Sequence, residues 1–444
     1  MTAVQTHYQK MTEAPLAKLI ISLGIPTTIS MLVTNVYNMV DTHFVGSLGE
    51  SPQAATGILF SLQAVIQAIG FMLGQGSGTM VSKALADKDT KQASKYVSTA
   101  FYTSVIFGAL LAVFGFIFLT PLLRLLGSTE TILPYAKLYG ACVLVGSPVV
   151  MGSFVLNNNL RYEGMALYSM FGLVSGAFLN IFGDYLLVGV LKRGILGAGV
   201  ATVISQVVSF VILLFLFNKK AQSKIRLSAI SKSFMIYADV IKVGFPAFIR
   251  QGLSSFSHGL LNNITAPYGD AAIAAMSIVN RFSAFVMCVG LGIGQGYQPV
   301  ASFNYQAKRY DRVKKGLLIT MGIGLVFITV IAAPSIIFSK QIILLFQESE
   351  NVLRVAIPAL RYSCIGTVFL AFSVPINMLY QSTRNALMSS ILSLLRSGLM
   401  FIPTLLIASH FLGFVGIQIS QPLADILTGL ISIPFIIGFL RKKF

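Results

Sequence analysis

"GQGSGTMVSKALADKDTKQ" (Gly74 to Gln92) and "GQGYQPVASFNYQAKRYDR" (Gly294 to Arg312) are two copies of one passage. The second begins at residue 294 and the first at residue 74, an offset of 220. Pro26 in "LGIPTTIS" and Pro246 in "VGFPAFIR" stand at the same offset, as do Asn157 and Asn377. Three landmarks at one offset make the chain a repeat of two halves. The glycine clusters look loosely like phosphate loops, but a phosphate loop follows a strand and opens a helix. These end long apolar runs and recur in both halves, so close helix packing or a kink near the cytoplasmic face is the better reading.

The composition outside the repeat fits that reading. Of 444 residues, 55% are hydrophobic and 10% charged, where a soluble chain carries roughly 25% charged residues. Mean hydropathy is +0.80. Apolar stretches matching the ~20 residues that cross a bilayer recur throughout. Twelve spans are expected, at about 16–40, 54–80, 97–120, 133–157, 167–190, 196–217, 241–264, 271–299, 316–338, 353–380, 387–408 and 413–440. The expected fold is an all-α polytopic membrane protein with twelve transmembrane helices in two six-helix bundles. The expected division is an N-terminal lobe over 1–217, a cytoplasmic linker over 218–240 and a C-terminal lobe over 241–444. Each half holds an even number of spans, so the copies share one orientation, related by a pseudo-two-fold along the membrane normal.

The net charge of +18 could suggest a nucleic-acid partner, but its placement argues for none. Basic residues cluster in every second loop: Lys83 to Lys95, Asn218 to Lys232, Ala307 to Lys315, and the tail "RKKF". Intervening loops such as "DTHFVGSLGESPQ" carry few. This is the positive-inside pattern, and it puts the basic loops and both termini in the cytoplasm. The first apolar stretch lacks a small-x-small cleavage site, so it reads as an uncleaved span behind a short tail. Cys142, Cys288 and Cys364 lie far apart in apolar runs and read as small buried hydrophobes. The four histidines show no ligand spacing, and no nucleophile–base set or nucleotide loop is visible, so no enzyme and no cofactor is expected.

Against this background "FLNIFGDYLL" puts Asp184 in the middle of an oily span, four residues after Asn180 and on the same helix face. Ionisable residues inside the membrane are costly and point to function. Tyr37 and Asp41 form a second such pair at the end of the first span, and Thr202, Ser205 and Gln206 share a face of the sixth. The second half has no counterpart: Leu261 matches Asp41 and Thr404 matches Asp184. Two carboxylates in low dielectric cannot easily both stay ionised, which suits a proton relay. Carboxylate, amide and hydroxyl oxygens equally suit a hard cation such as Na⁺. Polar glue between helices explains Asn157 or Thr202 well and Asp184 poorly.

Together, twelve spans in like-oriented halves, the two prolines, "VDTHFVGSLG", "LNIFGDYLLVG" and "GQGYQPVASFNYQAKRYDRV" resemble the multidrug and toxic compound extrusion (MATE) transporters nearly end to end, in particular a prokaryotic branch with its acids in the N-terminal lobe. The resemblance implies efflux of organic, mostly cationic drugs by antiport against H⁺ or Na⁺ through alternating access. It implies a monomer in a prokaryotic plasma membrane. Carried onto this chain, it implies a cation-coupling cluster of Asp41, Asn180, Asp184 and Thr202, which would also be the Na⁺ site. Tyr37, Tyr139 and Asn157 match supporting positions around the pocket, and Pro26 the proline at which the first span bends. Other branches carry an acid on span seven, where this chain has Arg250 and Gln251. A lipid-linked oligosaccharide flippase of the same superfamily is the alternative, since Arg250, Arg281, Arg361 and Arg396 lie in or near spans and pyrophosphate needs buried arginine. The sequence assigns no role to Glu163 or Asp425.

Overall fold

A computed structural model describes residues 3–346 and 349–442; Lys443 and Phe444 of the basic tail lie outside the described residues. The described residues are helical apart from short turns and one linker. The first half holds α1 (Ala3–Glu13), α2 (Leu16–Gly46), α3 (Glu50–Ala86), α4 (Thr90–Ile117), α5 (Leu119–Leu125), α6 (Leu133–Tyr162), α7 (Ala166–Asp184, running into a π-helical turn at Tyr185–Val190) and α8 (Gly194–Lys220). The second holds α9 (Phe234–Thr265), α10 (Asp270–Gln306), α11 (Tyr310–Ile337), α12 (Ser339–Leu344), α13 (Glu350–Thr367), α14 (Leu370–Ser382), α15 (Ala386–Leu394, with a π-helical turn at Leu395–Met400), α16 (Phe401–Leu412) and α17 (Phe414–Arg441).

Ten of these helical stretches are long and apolar enough to cross a bilayer, and α13 with α14 makes an eleventh, bent by 46° at its break. α9 is the twelfth long helix, at 32 residues. Arg250, Gln251, His258, Asn262 and Asn263 keep it less apolar than the rest. The chain is therefore a polytopic all-α membrane protein with two sets of six spans. Their outer faces are greasy. On α4, Phe107, Leu110, Phe114 and Ile117 recur at helical spacing and are each 46–64% exposed. On α8, Ile204, Val207, Val211 and Phe215 do the same. In water such stripes would drive aggregation; in lipid they are the solvent-facing surface.

Two compact units divide the chain. Unit 1 comprises 1–9 and 29–248, and unit 2 comprises 10–28 and 249–444. The first part of α2 thus packs within unit 2 and the rest within unit 1, and α9 is shared in the reverse sense. In unit 1, α6 is the central post, packed on α3, α4, α7 and α8. Leu59, Ile66, Leu144, Met151, Val188 and Ala198 form its core. In unit 2, α10 packs on α11, α13 and α14.

The glycine clusters are packing sites. In unit 1 a methyl group on Gly76 of α3 would overlap the Val240 carbonyl and press on Gly244 of α9. In unit 2 a methyl on Gly296 of α10 would overlap Gly24 of α2. Gly24 and Gly244, like Gly76 and Gly296, are 220 residues apart, so one backbone-to-backbone crossing recurs in each unit. Only glycine lets two helices approach so closely. Gly76 and Gly296, one residue of each repeated passage, make this contact.

Candidate functional site

Asp184 is the last residue of α7, immediately before the π-helical turn. In that turn Leu191 N–H donates to the Leu186 carbonyl at 2.8 Å, one residue further back than in an α-helix. Such turns widen a helix and recur at functional sites. The Asp184 side chain is fully buried, and neither of its oxygens receives a hydrogen bond. Asp41, on α2, lies near enough for the two carboxylates to repel each other. Asp41 Oδ2 accepts from the Tyr139 hydroxyl of α6 at 3.4 Å, while its Oδ1 is buried without a donor.

Asn180, one turn before Asp184, donates from Nδ2 to Thr202 Oγ1 of α8 at 3.2 Å. Thr202 in turn donates to the Ala198 carbonyl at 3.0 Å. This leaves Asn180 Oδ1 buried and without a donor. Four buried acceptor oxygens on these three residues therefore have no donor. The cavity beside them is lined by Tyr37, Asn38, Asp41, Gln63, Gln67, Tyr139, Thr202 and Gln206, with no lysine, arginine or histidine. It encloses ≈ 50 Å³, far below the ~300–1,000 Å³ that encloses a drug-sized molecule. Buried acceptors lacking a donor cost free energy, and oxygens of this kind can take a proton or an oxygen-seeking metal ion.

Of the expected residues, the structure thus gathers Tyr37, Asp41, Tyr139, Asn180, Asp184 and Thr202 at one place in unit 1. Asn157 is elsewhere: its Nδ2 donates to Ser169 Oγ at 2.5 Å and fastens α6 to α7. Asn377 repeats the arrangement in unit 2, donating to the Ser389 carbonyl and to Ser393 Oγ, both at 2.9 Å. Pro26 lies fifteen residues before Asp41 on α2, about 22 Å along the axis, and belongs to unit 2. Gln63 and Gln67 of α3 were not singled out from the sequence. Their signal was there, as two amides one turn apart in "SLQAVIQAI".

Glu163, Asp425, Arg396, Arg250 and Arg361 have local partners. Glu163, in the turn after α6, is fully buried and holds the linker: it accepts from the Gln222 N–H at 2.6 Å and from the Ser223 hydroxyl. Burial pushes its carboxyl up from 4.5 to about 7, against the opposing pull of those donors and of Lys224. In unit 2, Asp425 is buried against Arg396 at 2.8 Å and Gln421 at 2.9 Å. Arg250 donates to Asn377 Oδ1 at 3.4 Å, and Arg361 to Ser339 Oγ at 3.0 Å. Arg281 is exposed.

Comparison with known proteins agrees with this architecture. The model of the MatE family matches residues 26–186 and 246–407, two stretches that again begin 220 residues apart. The multidrug export protein MepA of Staphylococcus aureus (strain NCTC 8325 / PS 47) is 26% identical over 437 residues, 97% of this chain and 95% of the relative. MepA of Staphylococcus saprophyticus is 25% identical, over 95% and 93% of the two chains. The crystal structure of a MATE protein in complex with MaL6 superposes with a TM-score of 0.93 at 24% identity, covering 100% of both chains. The outward-facing structure of a multidrug resistance MATE transporter of the MOP superfamily gives 0.92 at 24%, covering 98% of each.

Proposed function

The chain belongs to the MatE family, and on that premise we propose that it is a secondary transporter that exports organic, mostly cationic compounds in exchange for H⁺ or Na⁺ by alternating access. The observation that carries the coupling is the set of buried oxygens without donors on Asp41, Asn180 and Asp184. A carboxylate held in low dielectric with no fixed cation is costly, so it draws a mobile one from whichever side is open. The four helices α2, α6, α7 and α8 each contribute a side chain. Arrival of the cation removes the repulsion between Asp41 and Asp184, and Asp41 then keeps or releases Tyr139 according to its charge. Occupancy therefore changes how α2 is held against α6, α7 and α8, and that is the switch by which cation and drug alternate. The names of the staphylococcal relatives support multidrug export.

The charge pattern supports a plasma membrane location with both termini and the basic loops in the cytoplasm, and each unit's own core is compatible with a monomer. The flippase reading finds less support. It needs arginines available to a pyrophosphate, and Arg396 is committed to Asp425 while Arg250 and Arg361 bond neighbouring side chains.

The test is export of a fluorescent organic cation in everted vesicles, read as its uptake into the lumen, with pH and Na⁺ gradients imposed separately. One gradient is expected to drive efflux, and the responsive ion is the one that binds at Asp184. Efflux indifferent to both gradients overturns the antiport.

A further inference from the structure

A second cavity lies in unit 2, where the turn between α10 and α11 meets the end of α17. It encloses ≈ 530 Å³ and is walled by Lys308, Arg309, Arg312, Lys314, Arg441 and Lys442, with Asp311 the single acid and Tyr310 the single aromatic ring. It is built rather than accidental. Arg312 is fixed in place by bonds to the Ala14 carbonyl at 2.7 Å and to Asn304 Oδ1 at 3.2 Å. Lys314 reaches the Lys442 carbonyl at 2.8 Å, tying α11 to the end of α17.

An excess of positive charge on this side needs no special cause, since membrane topology alone asks for it. The repeat separates that general demand from something local. The matching turn of unit 1 has Lys88 where unit 2 has Lys308, both in the left-handed backbone region at φ 60° and 58°. There the likeness ends. Asp89 caps α4 in unit 1, accepting from the Gln92 N–H at 2.8 Å. Arg309 stands at that position in unit 2 and caps nothing with its side chain. Gln92 and Ser94 become Arg312 and Lys314. At these three positions the fold is thus content with an acid and two neutral residues, while Lys91 of unit 1 stands where unit 2 has Asp311. Unit 2 has given up a helix cap and set like charges around a cavity beside a helix N-terminus, which favours anions, not cations. Such an arrangement is stable when an anion sits among the cations.

We propose that this cavity binds the headgroup phosphate of an anionic glycerophospholipid. Its place fixes the source of the phosphate. α11 begins at Tyr310 and α17 ends at Arg441, so the cavity lies where membrane helices leave the bilayer, with an aromatic ring at the interface. Directly beneath it, one turn along the same helix faces, Leu318 follows Lys314 and Ile437 precedes Arg441; they are 50% and 42% exposed and offer acyl chains a surface. Basic pockets of this kind at helix ends recognise anionic lipid headgroups.

The test compares lipid retention and thermal midpoint of the whole protein in detergent, with phosphatidylglycerol, phosphatidylcholine or inorganic phosphate added. The wild type is expected to retain phosphatidylglycerol at least tenfold over phosphatidylcholine and to be stabilised by it. The double variant R309D/K314S, which carries the residues of unit 1's own turn, is expected to lose that preference. K219S/K220S removes two positive charges from unit 1, against a change of three at the pocket, and is expected to keep it. Should R309D/K314S not be recovered folded, K308G, with glycine in its favoured left-handed backbone, takes its place. Equal retention of the two lipids, an unaltered preference in the pocket variant, or an equal loss in K219S/K220S overturns the site. Stabilisation by inorganic phosphate that matches phosphatidylglycerol overturns the lipid as its occupant.

Discussion

Each unit buries an aspartate in its membrane core, and the two aspartates live differently. Asp425 of unit 2 has its counter-charge built in: Arg396, from the π-helical turn after α15, lies at 2.8 Å. Asp184 of unit 1 also sits beside a π-helical turn, but among the described residues no donor reaches either of its oxygens. A buried pair with both charges supplied is self-contained and does not depend on solution conditions. A buried carboxylate without one remains dependent on an ion that comes and goes. On the proposed function, the difference between a structural charge and a transport site is whether the chain encodes the partner.

The comparison breaks most completely if unit 1 is made to need no ion. Asp184→Asn or Asp41→Asn keeps the shape and removes the charge. Gradient-driven efflux in vesicles is expected to fall to the level of vesicles without transporter, with insertion unchanged; full efflux in both variants would sink the coupling assignment. The converse experiment makes unit 2 resemble unit 1. Arg396→Ala leaves Asp425 buried and uncompensated, with an expected loss of about 3–5 kcal/mol. R396A/D425A should recover most of it in unfolding measurements, and a double variant as unstable as the single one would show that the ion pair is not the cause.

A smaller effect is expected at Asn180→Ala, which frees Thr202 and removes one oxygen from the cluster. The cation concentration for half-maximal efflux should rise about tenfold, the size of one hydrogen bond to a charged group. The smallest effect lies outside the membrane, at Glu163. Its carboxyl titrates at about 7 rather than 4.5 because burial disfavours the charge. The folded latch therefore holds a proton more tightly than the unfolded chain, and the stability it contributes is full below pH 4.5 and lost as pH rises through about 7. Hydrogen-exchange protection at Gln222 and Ser223, corrected for intrinsic rate, should fall across pH 6 to 8 in the wild type. It should stay flat in Glu163→Gln.

Much of this architecture was legible in the chain because membranes impose simple rules. Apolar length marks spans, and basic loops alternate. A carboxylate in an oily helix is conspicuous because so few causes can keep it there. Helical periodicity correctly paired Asn180 with Asp184, since spacing of four is a property of one helix. It could not say which helices meet. Tyr139 reaches Asp41 across ninety-eight residues of chain, and nothing local to either records it. Amides were the weakest signal: Asn157 and Gln63 are alike in chemistry, yet one staples two helices and the other lines the cavity. The π-helical turns and the break before α14 also escaped, because a one-residue change in hydrogen-bond register leaves the apolar pattern almost untouched.

The sharing of α2 and α9 between the units has a consequence for how the protein is made. Residues 10–28 leave the ribosome first but belong with 249–444. Gly24 must wait for Gly296 while 272 residues (296 − 24) are added, about 14–54 s at ~5–20 residues per second. Unit 1 in turn stays incomplete until the start of α9 arrives with Gly244. Neither unit can finish on its own stretch of messenger, so cutting the chain at the linker would leave each piece holding a helix segment that the other needs.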